Sequence, residues 1–344
     1  MTVKFNFISY AVSCCIIFLT GCAILPSSDR ENAPPIIAMG DMHGDYQAYR
    51  SLMLASALMN KEGNWTGGNK IFIQTGDIPD RGPDTRKIID SLQKLERQAP
   101  SFGGKVIPLV GNHEAMNMVG NLRYVHSGEY AAFVDGDSEQ KRDEAYAEIK
   151  HVFETNKRRK TPHLSSSDLR KIWNKANPLG KVEHQEAWAP DGYIGSWVAG
   201  NKVVVKVQGL LFAHGGLSKE YTKFTLEEIN AAGHKALREQ DWGKTSILRY
   251  NLGPLWYRGN VRGRKEKGSI SRSDEISKVL EIYNATHIII GHTRNEDGIR
   301  VSANGRVIQI DTGASAHYGG KPSYLRIEDG DIYAHTLTGY IKIQ

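Results

Sequence analysis

Five short apolar runs in this sequence each stop at a turn that carries Asp, Asn or His. Ile36-Ile37-Ala38-Met39 leads into Gly40-Asp41-Met42-His43-Gly44-Asp45, and Ile71-Phe72-Ile73-Gln74-Thr75 into Gly76-Asp77-Ile78-Pro79-Asp80-Arg81-Gly82. Val106-Ile107-Pro108-Leu109-Val110 leads into Gly111-Asn112-His113-Glu114. Leu210-Leu211-Phe212-Ala213 leads into His214-Gly215-Gly216, and Ile288-Ile289-Ile290 into Gly291-His292-Thr293. Apolar or β-branched runs of this length, bounded by glycine, have the signature of buried strands. In an open sheet, ligands collect in the crevice beyond the carboxyl ends of the strands. The five turns can therefore converge on one site.

Helical patterns separate the strands. Tyr46, Tyr49, Leu52 and Met53 fall on one helical face after Asp45. Ile88, Ile89, Leu92 and Leu95 do the same after Asp84, a candidate N-cap preceded by Pro83. This alternation predicts an α/β fold with a layered core. Beyond Glu114 the pattern changes. Residues from about 117 to 187 lack a convincing strand and are rich in Lys, Glu, Asp and Arg. Within them Ala145, Ile149, Val152 and Phe153 have helical spacing, as do Leu169, Ile172 and Trp173 after residues 165–168. The stretch reads as a helical insertion on the α/β core. Its basic run at 157–160 reads first as a solvated face, with contact to substrate as the sharper alternative. Strand-like runs return at 203–207 and from 306 to the C-terminus.

The turns hold Asp41, His43, Asp77, Asn112, His214 and His292, a mixed oxygen and nitrogen donor set that suits Zn, Mn or Fe. Asp41 and His43 stand two apart at a strand end and can turn toward one ion. Asp77 can bridge two ions through its two carboxylate oxygens, and Asn112, His214 and His292 can complete the second. Two cations a few ångströms apart lower the pKa of a shared water and give hydroxide near neutral pH. They also neutralise charge on a phosphoryl oxygen during in-line attack. His113 could protonate the leaving oxygen, with Asp80 accepting its other ring N–H. Arg81 offers a planar fork for two phosphate oxygens. Each residue has a plainer alternative. A lone Gly-Asp or Gly-His after a strand is usually a turn, and an isolated Arg is usually a surface ion pair. Of the 12 histidines, His126, His151, His163 and His184 read as surface or core, and His287 as packing. The joint occurrence of five such turns, each after an apolar run, decides for a site.

The remaining composition removes competing chemistries. All three cysteines, Cys14, Cys15 and Cys22, lie in the first 22 residues. The body of the chain therefore has no disulfide framework, thiolate metal site or cysteine nucleophile. A net charge of +6 suits anionic substrates or lipid headgroups, yet the basic residues form no long stripe and no nucleic-acid partner is expected. With 344 residues, 40% of them apolar, the chain can bury a substantial core in one or two domains.

At the N-terminus, Lys4 precedes a mostly apolar stretch over 5–19, which is short for a transmembrane helix and has signal-peptide length. Leu19-Thr20-Gly21-Cys22 follows and resembles a bacterial lipobox, which implies a lipid-modified Cys22 and attachment to a membrane. An ordinary cleaved secretory signal or an uncleaved anchor is the plainer alternative. The expected organisation is a lipoprotein signal peptide over 1–21, a tether over 22–34 and a catalytic domain over 35–344, with the helical insertion at about 117–187. Ala23 after the cysteine, by resemblance to enterobacterial sorting, favours the outer membrane facing the periplasm for a Gram-negative source.

Taken together, the five glycine-bounded turns resemble the calcineurin-like metallophosphoesterase superfamily, and within it the phosphoprotein phosphatase (PPP) family, over about residues 36 to 315. The resemblance implies a four-layer α/β/β/α sandwich of two sheets flanked by helices, with both metals at the sheet ends. It also implies Asp77 as the bridging ligand, His113 as general acid and Arg81 on phosphate. Pro254-Leu255-Trp256-Tyr257-Arg258-Gly259 is similar to the Shewanella-like phosphatase branch, which implies a second phosphate contact from Arg258. Read from the residues alone, Arg258 fits a structural role equally well. Ser315-Ala316-His317-Tyr318-Gly319-Gly320 stands where eukaryotic Ser/Thr phosphatases carry Ser-Ala-Pro-Asn-Tyr-Cys, a departure that bears on inhibitor binding and on Ser/Thr preference. Pro79 and Asp45 also depart from other branches, and Asp45 reads as a helix cap rather than a ligand.

The resemblance thus implies a phosphoric monoester hydrolase that uses two divalent ions, Mn, Fe or Zn, on phosphoprotein, Ser/Thr or Tyr. A hydrolase of diadenosine polyphosphates, nucleotides or other small phosphate esters is the alternative, because an exported enzyme would meet little kinase activity. A membrane-tethered binding scaffold on the same fold would show degraded motifs, whereas every proposed ligand and His113 are present.

Overall fold

The computed structural model of the chain describes residues 33–264 and 270–344. The expected signal peptide, the candidate lipidation site Cys22 and most of the tether lie outside the described residues. The strands are, in chain order, β1 (Ile36–Met39), β2 (Ile71–Gln74), β3 (Lys105–Pro108), β4 (Val204–Val207), β5 (Leu210–Ala213), β6 (His287–Ile290), β7 (Arg300–Ser302), β8 (Val307–Gln309), β9 (Ser323–Glu328), β10 (Asp331–Thr336) and β11 (Tyr340–Lys342). The helices are α1 (Tyr46–Ala55), α2 (Thr85–Gln98), α3 (Asn112–Met118), α4 (Ser127–Ala131), α5 (Ser138–Lys160), α6 (Ser166–Ala176), α7 (Lys181–Trp188), α8 (Tyr193–Val198), α9 (Leu226–Arg238), α10 (Gly259–Arg262) and α11 (Arg272–Ile282).

Two mixed sheets form, in the orders β11-β10-β9-β1-β2-β3 and β4-β5-β6-β8-β7. β1, β2 and β3 run parallel, as do β5, β6 and β8. Antiparallel strands close the other edges. Pro108 sits in β3, an edge strand of the first sheet, where its missing N–H costs the least.

Side chains alternate across a strand, and this sorts the core into layers. Ile36 and Ala38 of β1 join Ile73, Leu325 and Ile327 of the same sheet and Phe212, Ile289 and Ile308 of the other in one buried cluster between the sheets. Ile37, Met39 and Phe72 instead share a second cluster with Tyr49, Leu52 and Met53 of α1 and Ile88, Ile89 and Leu92 of α2. Leu211, Ala213, Ile288 and Ile290 share it with Ile229 and Leu237 of α9 and Ile276 and Val279 of α11. The order is helix, sheet, sheet, helix, the four-layer sandwich that the motifs imply.

Local signals account for individual elements. Asp45 caps α1 by accepting from the Ala48 N–H at 2.9 Å. Asp84 occupies the corresponding position of α2 but makes no cap bond; its carboxylate takes the Lys87 ammonium at 2.7 Å instead. Between β3 and β4 the described residues are helical or irregular, from α3 to α8. α5 holds its helix partners through rings: Phe153 meets Trp173 of α6 at 5.6 Å between centroids, as does Tyr146. Ile149 and Val152, which share the helical spacing, are 40% and 62% exposed. Spacing shows that a helix forms there; it does not show that anything covers the stripe.

Candidate active site

The chemistry gathers at one end of both sheets because of strand order. Asp41 and His43 follow β1, Asp77, Asp80 and Arg81 follow β2, and Asn112 and His113 open α3 just beyond β3. From the second sheet, His214 follows β5, His292 follows β6 and Asp311 follows β8. All except Arg81 are buried. The loops pack so closely that a Cβ on Gly291 would strike the Asp41 carboxylate, and one on Gly111 would strike the Asp77 backbone N. His43, Asp77, Asp80, Arg81 and His292 have φ of 46°, 57°, 73°, 70° and 57°, a left-handed backbone that costs side-chain-bearing residues about 1–3 kcal/mol each. The fold tolerates this strain where it aims these side chains inward.

The aim is specific. Asp77 presents its two oxygens to different histidines: Oδ1 lies 3.2 Å from His214 Nε2, and Oδ2 lies 3.9 Å from His43 Nε2 and 3.8 Å from His113 Nε2. Asp41 Oδ2 is 3.8 Å from His43 Nε2, and Asn112 Oδ1 is 2.9 Å from His214 Nε2. His43 Nδ1 donates to the Pro79 carbonyl (3.2 Å) and His214 Nδ1 to the Thr75 carbonyl (2.9 Å), which leaves each Nε2 lone pair free to ligate. The Asp41 carboxylate accepts from the His292 N–H at 3.1 and 3.2 Å. The structure therefore brings all six sequence-derived candidate ligands together.

These residues fit divalent cations. His43, Asp77 and His113 offer ligand atoms within 4.8 Å of one another, and so do Asp77, His214 and His292, with Asp77 in both groups. His292 Nε2 is buried without a hydrogen-bond partner, which a ligand atom facing a cation would be. The electrostatics agree. Burial pushes Asp41 well above the usual carboxylate range, and the neighbouring carboxylates of Asp311 and Asp77 push it further. Burial works against the charge of Asp77 as well, yet His214, His113 and His43 prevail and hold it well below that range. Burial drives His43 down to about 3 and also lowers His292, so both imidazoles are neutral. Crowded buried carboxylates beside neutral imidazoles are costly alone and are the form that ligates a cation.

His113 differs from His43 and His292. Burial opposes its charge, but Asp77 and Asp80 outweigh burial and raise its pKa above the usual imidazole value. Its Nδ1 meets Asp80 Oδ2 at 2.5 Å, and Asn117 Nδ2 donates to the other Asp80 oxygen at 3.0 Å. Ring orientation and proton position are thus fixed from behind.

Arg81 and Arg258 line the same cavity of about 390 Å³ as the ligand set. The Arg81 guanidinium lies 3.9 Å from the Tyr124 ring centroid, and its Nε has no hydrogen-bond partner. Arg258 donates from Nη1 to the His292 carbonyl at 2.7 Å and faces the charges of Asp41, Asp77 and Asp311. Tyr124, Trp256, Arg262, Arg294, Asp311 and Tyr318 complete the lining and were not singled out from the sequence for this site. Asp311 had a signal: Val307-Ile308-Gln309-Ile310 runs into Asp311-Thr312-Gly313, a sixth strand ending in an acid, but without a glycine before it. Elsewhere, Asp45 is a cap, His126 caps α4, His184 is a core partner of Glu129, and His287 bonds Gln344. The basic run at 157–160 ends α5, where it complements the helix dipole, and is absent from the cavity lining.

Residues 34–295 match the family model for calcineurin-like phosphoesterases. Shewanella-like protein phosphatase 1 of Plasmodium berghei is 29% identical over 318 residues, which cover 88% of this chain and 74% of that protein. Shewanella-like protein phosphatase 2 of Arabidopsis thaliana is 28% identical over 302 residues, covering 83% of this chain and 72% of the relative. Among solved structures, a cold-active protein-tyrosine phosphatase of a psychrophilic Shewanella species superposes with a TM-score of 0.66 at 25% identity, covering 90% of this chain and 80% of that one.

Proposed function

The chain belongs to the calcineurin-like phosphoesterase family, and from that premise we propose that it removes phosphate from protein side chains with two divalent ions, Mn, Fe or Zn. Its phosphatase relatives make it a phosphoric monoester hydrolase; the protein substrate and the residue roles are our reading. Asp41, His43, Asp77, Asn112, His214 and His292 would hold the ions. Bound there, the ions would supply a water activated near neutral pH and neutralise charge on the phosphoryl group. Arg81 and Arg258 each turn a guanidinium fork to the non-reacting phosphate oxygens. His113 gives its proton to the leaving oxygen as the phosphorus–oxygen bond breaks, and Asp80 steadies the imidazole through that transfer.

The observation that carries this reading is Asp77, whose two carboxylate oxygens face separate histidine groups. With added manganese, the wild type should release phosphate from p-nitrophenyl phosphate and from phosphopeptides, and Asp77→Asn should lose nearly all turnover together with bound metal. No release by the wild type, and no difference in the variant, would sink the reading.

A second reading, hydrolysis of diadenosine polyphosphates or other small esters, draws support from Arg262 and Arg294, which add positive charge to the cavity beyond the two forks a monoester needs. Relative turnover of a phosphopeptide and a dinucleotide separates the two. Export and lipid anchoring at Cys22 belong to the proposal as well. Metabolic labelling with a fatty-acid analogue should mark the wild type and not Cys22→Ala; equal labelling would remove the anchor.

A further inference from the structure

Beside the catalytic cavity lies a second hollow of about 260 Å³, lined by Asn121, Arg123, Trp242, Arg249 and Trp256. Trp256 is the shared wall. It also lines the catalytic cavity, its ring meets His292 edge-on at 5.8 Å, and its Nε1 donates to the Leu248 carbonyl at 2.8 Å. A second link runs through Tyr124, whose ring centroid lies 3.9 Å from the Arg81 guanidinium and 4.7 Å from that of Arg123. One aromatic ring thus joins a phosphate-facing arginine to an arginine of the second hollow.

The charge in this hollow is unanswered. Among the described residues neither Arg123 nor Arg249 has a carboxylate within ion-pair distance. Arg249 makes a bond from Nη1 to the Trp242 carbonyl at 3.3 Å, which leaves most of its donors unused. An isolated exposed arginine is ordinary. Two that line one small hollow, with tryptophan walls and an asparagine amide, present paired forks of N–H donors that match the several oxygens of a phosphate better than the two of a carboxylate. The hollow has room for a phosphate group and some of its water.

Resting on the phosphatase reading above, the geometry points to a subsite for a second phosphate carried on the same substrate as the scissile one. The catalytic cavity takes the phosphate that is removed, and Arg123 and Arg249 take the other across the Trp256 wall. The enzyme then prefers doubly phosphorylated substrates, and the preference appears mainly in KM, because the second phosphate does not react.

The test uses the full chain with manganese and two matched substrate pairs. One pair is a peptide carrying one phosphate or two at graded spacing; the other is a nucleoside 5′-monophosphate and the matching nucleoside 3′,5′-bisphosphate. In the wild type, kcat/KM for the doubly phosphorylated member of one pair should exceed that for the singly phosphorylated member by about tenfold or more. The ratio should collapse toward one in Arg123→Ala and Arg249→Ala and be partly kept in Arg123→Lys, which retains charge but not the fork. Both side chains are exposed, so the variants should fold. A preference in either pair supports the subsite and identifies the carrier. A wild-type ratio near one in both pairs, or a ratio indifferent to the substitutions, overturns it. Failure of the phosphatase reading looks different: no turnover of any substrate, p-nitrophenyl phosphate included.

Discussion

His113 is the side chain on which the proposed reaction turns, because, in contrast to His43 and His292, it is pushed toward the charged form. A group that donates a proton must hold one at working pH, and the paired carboxylates of Asp77 and Asp80 achieve this against the pull of burial. The benefit depends on how badly the leaving group needs the proton. His113→Ala should therefore lower kcat on phosphoserine peptides by about 10²–10⁴-fold. On p-nitrophenyl phosphate, whose leaving group is stable as an anion, the loss should be much smaller. Parallel kinetics on the two substrates check this, and equal losses would assign His113 to metal binding instead. His113 lies within ligand distance of Asp77 and His43, so that outcome has a structural basis. His113 and Asp80 were readable as a pair from the sequence because they sit in two of the five strand-end turns. Tyr124 was not readable, since it lies in an irregular stretch after α3 and reaches the site through its contacts with Arg81 and His113.

The turns themselves are held by elements behind them. Glu114, in the first turn of α3, accepts from the backbone N–H groups of Asp77 at 2.9 Å, Ile78 at 2.7 Å and Gly111 at 2.8 Å. One carboxylate thus splices the end of β2 to the end of β3. Burial and the nearby Asp77 push its pKa to about 7, so the splice is maintained at an electrostatic cost. Glu114→Ala would leave three buried donors without partners, and stability should fall by about 2 kcal/mol or more. Denaturant unfolding reads the loss, and metal content should drop with it as the left-handed Asp77 turn relaxes. The helical region between β3 and β4 carries another buried pair, Glu129 of α4 and His184 of α7, 3.2 Å apart, with the Thr85 hydroxyl donating to the second Glu129 oxygen at 2.8 Å. Burial raises the Glu129 pKa, and His184 and Thr85 offset this only in part. A raised folded value means that the folded state binds the proton more tightly. The stability so gained is full below the unfolded pKa of about 4.3 and is lost as pH rises through the folded value. Glu129→Gln cannot ionise, so its stability relative to wild type should rise as pH climbs above the unfolded carboxyl pKa of about 4.3. A slope of the opposite sign would make the ionised pair the stabilising form. Neither pair was legible in advance. Periodicity located α1 and α2 because their apolar faces meet a sheet, but a buried Glu or His looks like any surface residue until its partners from other elements are placed.

The site also joins the two halves of the sandwich. Asp41, Asp77 and Asn112 come from the sheet of β1, β2 and β3, whereas His214 and His292 come from the sheet of β5 and β6. Between those sheets lies an apolar layer; at its catalytic end His214 bonds the Thr75 carbonyl and the His292 N–H bonds Asp41, and the proposed ions would strengthen this polar tie across the seam. That arrangement was only half legible: the strand-end turns announced a common site, but nothing in the order of the motifs says which strands share a sheet, because pairing partners such as β1 and β9 lie far apart in the chain. Ligands that bind the folded state and not the unfolded one stabilise by mass action. At free metal about 100-fold above Kd the gain is ~2.7 kcal/mol, or about 5 °C in Tm for a domain of this size. Chelation should therefore lower Tm by that order, and added manganese should restore it. Because both sheets contribute ligands, backbone N–H groups at the carboxyl ends of β2 and of β6 should lose exchange protection together when metal is removed. If Tm were unchanged, or if only one sheet loosened, the ions would not be bridging the seam. Asp77→Asn supplies the control, since with manganese present and no chelator it should still melt close to the chelated wild type.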